Sequence, residues 1–370
     1  MSEGVFVYGI YASIALLLIT LVLFRKIKLE YNKSLIMLLA LFVFTSVISA
    51  FFNSDRAMVF DVVVLFSLFI ATSVISHSYL KDSTGKVVVF TLLLSHVPII
   101  IIPLIRDGLG TFPYMGIFDN PNSFGLVAVT VFAVFLALFL SKLEKRLFYI
   151  EKPSRLIMLL YFFLATLSFL VVVFSASRTS FLAGIIVSVI GLFFIVLFSI
   201  KNKLAINLLF KAILGLPIIW GLYLIVNKYI PLRFYIDDII LSKFDRKSSN
   251  VLDGRNFIWE KTIGEAKIFG NGTSYFNDQI GLGAHNTFIH VLGVYGWLPM
   301  IMFTLFIAVA LYYCIRFVFS DNDYKYLPLI IFTIFLALSM GENQFYRVTM
   351  IASFILIGLV ANNKRVAITS

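Results

Sequence analysis

Apolar segments about as long as a membrane is thick recur along most of this chain. A helix needs about 20 apolar residues to cross the hydrocarbon core of a bilayer, and it satisfies its backbone hydrogen bonds internally. The sequence therefore predicts transmembrane helices near residues 5–24, 34–52, 57–76, 87–105, 122–141, 155–175, 179–200, 211–227, 297–319, 326–341 and 346–361. A shorter apolar segment, 286–294, precedes the last three runs.

These runs predict an all-α polytopic membrane protein with about 11 transmembrane helices, about 12 being the alternative. The composition agrees, since 61% of the residues are hydrophobic, 13% are charged and the mean hydropathy is +1.00. We expect a single integral membrane domain, 1–370, with one large external or periplasmic loop, 228–284, inserted between helices. The first run has no preceding Lys or Arg and no small-residue cleavage site, which favours an uncleaved span over a signal peptide.

The basic residues are distributed unevenly between alternate short loops. With the N-terminus outside, eighteen Lys and Arg residues fall on the cytoplasmic side, and only Arg56, Arg106, Arg178 and Arg347 fall on the other. This positive-inside bias predicts that 228–284 is external. The net charge of +11 then reflects topology and contact with anionic membrane lipids, and nucleic acid is not an expected partner.

The long loop contains an amphipathic segment and the most polar part of the chain. Apolar residues within 232–247 recur at helical spacing, which predicts either a helix lying on the membrane or one packed on the rest of the loop. Further on, 253–299 carries Arg255 near its start and His285 beside Asn286 where the next apolar segment begins. We expect the active site in this stretch.

The residue types in this stretch suggest acid–base chemistry next to a phosphate. A near-neutral imidazole at the junction of loop and membrane suits a general base, and Asn286 could orient the ring of His285. The planar guanidinium groups of Arg178 and Arg255 match phosphate oxygens. Arg178 lies at the predicted outer junction of two spans, where the alternative is that it simply extends to the interface. No Asp-x-Asp or clustered His and Asp on the predicted outer side suggests a metal, and no cofactor is expected.

Two other polar turns are expected on the same side. In 119–122, Asn122 or the following Ser123 could cap the fifth predicted span, which requires no catalytic function. In 341–347, Glu342, Tyr346 and Arg347 form another outer hairpin. Glu342 and Arg347 either contribute to the substrate site or pair with each other.

The chain resembles the O-antigen ligase and O-antigen polymerase superfamily in three features. These are the large loop late in the chain, the segment Gly254-Arg255 with Trp259, and His285-Asn286 at the head of a helix. Members of this superfamily resemble GT-C glycosyltransferases of bacterial membranes. Arg178 with Leu182 is similar to the family's Arg-x-x-x-Leu element, and His285-Asn286 followed by Gly296 is similar to its His-Asn-x₉-Gly element. The resemblance covers residues 110–345 and is strongest in 253–299.

The resemblance implies transfer of a glycan from an undecaprenyl-pyrophosphate-linked oligosaccharide to an acceptor hydroxyl, without a metal. Arg178 and Arg255 would hold the pyrophosphate, and His285 would activate the acceptor. The implied location is the bacterial cytoplasmic (inner) membrane with the site facing the periplasm or exterior, and a chain-length regulator protein is a further expected partner. We favour a surface-polysaccharide (O-antigen or capsule) polymerase. The alternatives are an O-antigen ligase that uses lipid A-core or another acceptor, and a lipid-linked glycan transporter or flippase.

Overall fold

The protein is helical wherever its structure is described. The computed structural model describes residues 29–108, 113–149, 153–203 and 255–361, and these ranges contain no strand. The α-helices are α1 (Lys33–Phe52), α2 (Arg56–Phe69), α3 (His77–Leu80), α4 (Thr84–Asp107), α5 (Pro121–Phe148), α6 (Arg155–Ser175), α7 (Arg178–Lys201), α8 (Arg255–Glu265), α9 (Thr287–Tyr295), α10 (Trp297–Val318), α11 (Tyr326–Ser339) and α12 (Val348–Ala361). π-Helical turns occupy Ile70–Ser76 and Phe276–Ile280, and a 3₁₀ turn occupies Lys81–Ser83.

The described ranges are helical, and their long apolar helices agree with a multi-pass membrane protein. Within the described ranges, 6 helical segments are long and apolar enough to cross a bilayer, and α11 and α12 are shorter apolar helices. The predicted spans 5–24 and 211–227, the amphipathic segment 232–247 and the first part of the loop, 228–254, lie outside the described residues. The number of about 11 spans therefore stays a prediction.

Polar side chains fix where several of these helices begin. Asn32 caps α1 by accepting a hydrogen bond from Leu35 N (3.2 Å), and Ser177 caps α7. The fifth predicted span is capped by Asn120, whose Oδ1 accepts from the backbone N–H of Asn122 (2.8 Å). The expectation that Asn122 or Ser123 would be the cap was wrong. Pro121 has the fixed φ that suits the first helical position, so the cap is the residue directly before it, Asn120.

The chain divides into two compact units, Met1–Phe90 with Gly254–Ser370 and Thr91–Asp253. In the first unit, aromatic side chains of α1, α2, α10 and α12 form the core. The Phe69 ring packs edge-on against Phe306 (5.5 Å) and Phe354 (5.2 Å), and all three are buried. The π-helical turn after α2 packs on α12, where the Ser73 hydroxyl donates to the Phe354 carbonyl (2.5 Å).

The turns of the first unit lie at its two ends. At one end, Gly85 packs against Tyr324, and Asn32 donates to the carbonyl of Ala361 (3.3 Å). At the other end, which we call the site end, α1 finishes, and α2 and α9 begin. There Asn53 Nδ2 donates to the Phe269 carbonyl (2.7 Å).

The second unit is built around α5. In the most apolar window of α5, 72% of residues are buried, compared with 22% in α6, so α5 is the inner helix. Gly125 lies against Ser175, Ser177 and Ser180, which leaves no room for a side chain. This close approach places the N-termini of α5 and α7, and with them Asn122 and Arg178, at the same end of the second unit.

Candidate active site

A guanidinium, a carboxylate and an imidazole meet at the site end of the first unit. Arg255, the first residue of α8, donates from Nη2 to Glu342 Oε1 (3.3 Å) and from Nη1 to the Gly341 carbonyl (2.6 Å). His285 Nδ1 lies 3.3 Å from the other carboxylate oxygen of Glu342. One carboxylate therefore connects two of the residues that the sequence indicated, and we call Arg255, His285 and Glu342 the site triad.

The geometry of the triad determines which imidazole nitrogen can accept a proton. An ionised carboxylate only accepts hydrogen bonds, so the His285 nitrogen that faces Glu342 must carry the hydrogen. The other ring nitrogen, Nε2, is then an acceptor. The side chain of His285 is 41% exposed, whereas those of Arg255 and Glu342 are 21% and 29% exposed. The accessible member of the triad is thus the one that can take a proton.

The backbone at His285 adopts a conformation that few residues with a side chain adopt. Its φ of 47° lies in the left-handed region, and such conformations persist only where the surroundings impose them. On one side, the carbonyl of buried Ala284 accepts a hydrogen bond from Trp259 Nε1 (3.1 Å). On the other, buried Asn286 is committed to the start of α9. Both neighbours of the imidazole are therefore fixed.

Asn286 is the N-cap of α9 and does not orient His285. Its Oδ1 accepts from Phe288 N (2.8 Å) and Ile289 N (3.1 Å), and its Nδ2 donates to the Met340 carbonyl (3.3 Å). The expected role of Asn286 as the orienting group was wrong, because the four unpaired N–H groups at a helix start compete for its amide oxygen. Glu342 is the side chain that bonds the ring.

The segment Gly341–Arg347, which we call the hairpin, is cross-linked to α9. Thr287 Oγ1 donates to the Glu342 carbonyl (3.2 Å) and accepts from Gln344 N (2.9 Å). Gln344 is buried and accepts at Oε1 from Thr349 in α12 (3.1 Å). These bonds fix Glu342 relative to the start of α9, and hence relative to His285.

A close backbone contact holds the far end of α9. Gly296, with φ 98°, lies directly against the backbone of Gly270, and a Cβ on either residue would collide with main-chain atoms. The backbone N–H of Gly272 donates to the Val294 carbonyl (3.1 Å), and that of Trp297 donates to the Lys267 carbonyl (3.1 Å). The loop that follows α8 thus clamps the α9–α10 junction.

The remaining predicted residues lie in two places. Tyr346 and exposed Arg347 belong to the hairpin, and the Tyr346 hydroxyl donates to the backbone carbonyl of Asp61 (2.7 Å). Glu342 bonds Arg255 and His285. Arg178 and Asn122 lie in the first turns of α7 and α5 in the second unit.

Sequence reasoning gave no role to two acids at the site end. Asp55 caps α2 and also accepts, through Oδ2, from the backbone N–H and hydroxyl of Thr273 (both 2.7 Å). Burial raises the pKa of the Asp55 carboxyl, but these bonds outweigh it and hold the pKa below its ordinary value. Asp61, in the second turn of α2, lines a cavity. The sequence does carry a signal for Asp61, because an acidic residue inside an apolar run often marks a functional site.

Comparison with models of known protein families found no match, and comparison with curated proteins found no similar protein.

Proposed function

We propose that this protein is a membrane glycosyltransferase that moves a glycan from an undecaprenyl-pyrophosphate donor to a sugar hydroxyl of an acceptor. The observation that carries the proposal is the site triad, in which Glu342 bonds His285 on one side and Arg255 on the other. This arrangement sets an oriented base beside a fixed positive charge in a chain rich in membrane-spanning helices.

In this reaction His285 acts on the acceptor. Its Nε2 takes the proton of the attacking hydroxyl, while Glu342 holds the ring through Nδ1 and stabilises the imidazolium that forms. The glycosyl carbon then bonds to the acceptor oxygen, and its bond to the pyrophosphate oxygen breaks. A positioned base of this kind contributes roughly 10²–10⁴-fold to the rate.

Arg255 acts on the leaving group. Glu342 and the Gly341 carbonyl each occupy one of its N–H groups, and the guanidinium has further donors for a phosphate oxygen. Arg178 is proposed as the second pyrophosphate ligand. No group of three or more His, Cys, Asp or Glu side chains suited to a metal ion comes together in the described ranges, and the proposed reaction uses none.

The membrane arrangement is part of the proposal. About 11 spans follow from the apolar runs, and an external N-terminus and an external 228–284 loop follow from the distribution of Lys and Arg. The bacterial cytoplasmic membrane is the location that the family resemblance implies. The site triad then faces the periplasm or exterior, where lipid-linked repeat units are extended. A polymerase and a ligase share this chemistry and differ in the acceptor, and we favour the polymerase.

Purified protein in proteoliposomes, supplied with an undecaprenyl-pyrophosphate oligosaccharide, tests the proposal. We expect longer lipid-linked glycans and released undecaprenyl pyrophosphate, both lost in His285→Ala. Arg106→Ala is the matched control, because Arg106 is an exposed arginine that pairs with Asp107 and is not a member of the triad. A product built on lipid A-core would indicate a ligase. Movement of intact donor across the bilayer without a new glycosidic bond would reject the enzyme in favour of a flippase.

A further inference from the structure

A cavity of about 230 Å³ lies beneath the hairpin in the first unit. Its lining includes Asp61 of α2, His290 and Tyr295 of α9, and Asn343 and Tyr346 of the hairpin. Asn343 directly follows Glu342, so the same short segment contributes to the site triad and to the cavity. A water molecule occupies about 30 Å³ of liquid. The cavity is therefore large enough for one small ring and too small for an oligosaccharide.

Asp61 lines this space, and its carboxylate makes no hydrogen bond or ion pair to a described residue. The hydroxyl of Tyr346 bonds the backbone carbonyl of Asp61 and not its side chain. An ionisable group within a membrane helix is costly unless it meets water, a partner or a ligand. The lining thus offers a hydrogen-bond acceptor, the Asp61 carboxylate, next to the segment that carries Glu342.

The other polar groups of the lining are mostly donors. Asn343 Oδ1 accepts from Phe345 N (3.2 Å), which leaves its Nδ2 hydrogens as the available polar groups. Burial lowers the pKa of the His290 imidazole to about 4, so the ring is neutral and can donate from one nitrogen and accept at the other. A metal ion requires several oxygen ligands together, which this mixture does not supply.

Aromatic rings complete the cavity. Phe42, Tyr295, Phe345 and Tyr346 surround the polar groups with flat apolar faces. A single carboxylate repels phosphate, so the pyrophosphate of a donor belongs beside Arg255. A neutral ring that carries several hydroxyls satisfies a carboxylate, an amide and a neutral imidazole while its C–H groups contact the aromatic faces.

We propose that this cavity binds one sugar ring of the glycan substrate. Asp61 accepts hydrogen bonds from one or two hydroxyls of the sugar, and Asn343 donates to a ring substituent. The assignment rests on the proposed function for the source of the sugar, and binding of the sugar itself can be measured without any transfer. Specificity for the repeat unit would then arise from α2 and the hairpin, apart from the triad that carries out the reaction.

The test uses the full chain in nanodiscs and saturation-transfer NMR with the methyl glycosides of glucose, galactose, rhamnose and N-acetylglucosamine. We expect at least one glycoside to bind wild-type protein. Asp61→Asn, which keeps the shape of the side chain, and Asn343→Ala should each weaken that binding at least tenfold. Asp107→Asn is the matched control because Asp107 is exposed and lies outside the cavity lining. Thermal melting of each variant verifies that it is folded.

Binding that is weakened by both cavity variants and unchanged in the control supports the assignment. Failure of all four glycosides to bind, or equal binding by wild type and both variants, overturns it. Transfer from a lipid-linked donor is measured on the same preparations. Glycoside binding that depends on Asp61, without transfer, would retain the cavity and reject the glycosyltransferase. Transfer with unchanged KM values for both donor and acceptor in Asp61→Asn would reject the cavity alone.

Discussion

At the scale of single residues, the chemistry depends on how Glu342 is shared. Its two oxygens are each 3.3 Å from a partner, Arg255 Nη2 on one side and His285 Nδ1 on the other. The carboxylate accepts from both partners, and its bond to the imidazole places the hydrogen on Nδ1. The effects of substitutions in the triad should consequently be coupled and not additive.

His285→Ala should separate the chemical step from donor binding. Without the imidazole we expect the single-turnover rate to fall by roughly 10²–10⁴-fold while affinity for the lipid-linked donor stays near that of wild type. Glu342→Gln should produce a loss in the same direction, because a neutral amide stabilises the imidazolium less well. The measurements are donor affinity and single-turnover rate on the same preparations. If His285→Ala instead lost donor affinity and kept its rate at saturating donor, the histidine would belong to the pyrophosphate site.

Arg255→Ala should weaken donor binding as well as turnover. Removing one partner of a fully buried charge pair costs about 2–5 kcal/mol, and this partly buried pair should fall near the lower end of that range. The substitution leaves both the pyrophosphate and Glu342 poorly compensated. Arg255→Lys should restore only part of the loss, because an ammonium cannot make the bidentate contact. Arg106→Ala is the control, and full activity in Arg255→Lys would contradict a bidentate role.

Asp55 should make stability depend on pH at the acidic end. Its folded-state pKa is depressed, so its contribution is fully present above the ordinary carboxyl value of about 4 and is lost as the pH falls through the lower folded value. We expect Asp55→Asn to cost about 1 kcal/mol at pH 7, since the bonds from Thr273 lose a charged acceptor. Melting curves from pH 7 to pH 3 should show wild type and variant converging, and a constant gap would contradict this account.

At the scale of elements, the site is assembled by one loop, one short helix and one hairpin. The loop after α8 clamps the end of α9 through Gly270 and Gly296. The hairpin is fixed to the beginning of α9 through Thr287. The nine-residue helix α9 is therefore held at both ends. This gives His285 a defined position relative to the other two members of the triad.

Gly296→Ala should destabilise the protein more than any glycine substitution on a helix surface. A methyl group at position 296 would meet the backbone of Gly270 and would sit on a residue with φ 98°. We expect a loss of at least about 1–3 kcal/mol, seen as a lower melting temperature and weaker transfer. Gly264→Ala is the matched control, because Gly264 is helical with open space around its Cβ position, and it should be neutral or slightly stabilising. Equal melting temperatures for the two variants would rule out the clamp.

The helices were predictable from sequence where the length and hydropathy of an apolar run determine them. The run predicted at 155–175 is α6, Arg155–Ser175, because an uninterrupted apolar segment of that length has one stable form in a bilayer. The partners of Glu342 were not predictable in the same way. Arg255 lies 87 residues away and His285 lies 57 residues away along the chain, and only tertiary packing brings them together. The conformation of His285 likewise depends on neighbours that hydropathy does not reveal.

At the scale of the whole molecule, the distribution of Lys and Arg predicts which loops are accessible from each side. Cysteines introduced singly at Ser249 and Ser154, in a Cys314→Ser background, should react oppositely with an impermeant thiol reagent applied to intact cells. Position 249 should be labelled from outside and position 154 should not. Cys314 is buried, so its replacement should have little effect on this assay. External labelling at position 154 would overturn the proposed topology.

The shortness of α11 has a consequence for the depth at which the site lies. Its 14 residues rise about 21 Å, against a hydrocarbon core of about 30 Å. Nearly all residues of α11 are buried by other helices, so this helix faces protein and not lipid along its length. Glu342 follows α11 by only a few residues, so we expect it below the level at which a full-length span would end. Under the proposed function, a pyrophosphate carried on a prenyl chain would meet Arg255 there by lateral diffusion, with its chain still among the lipid tails.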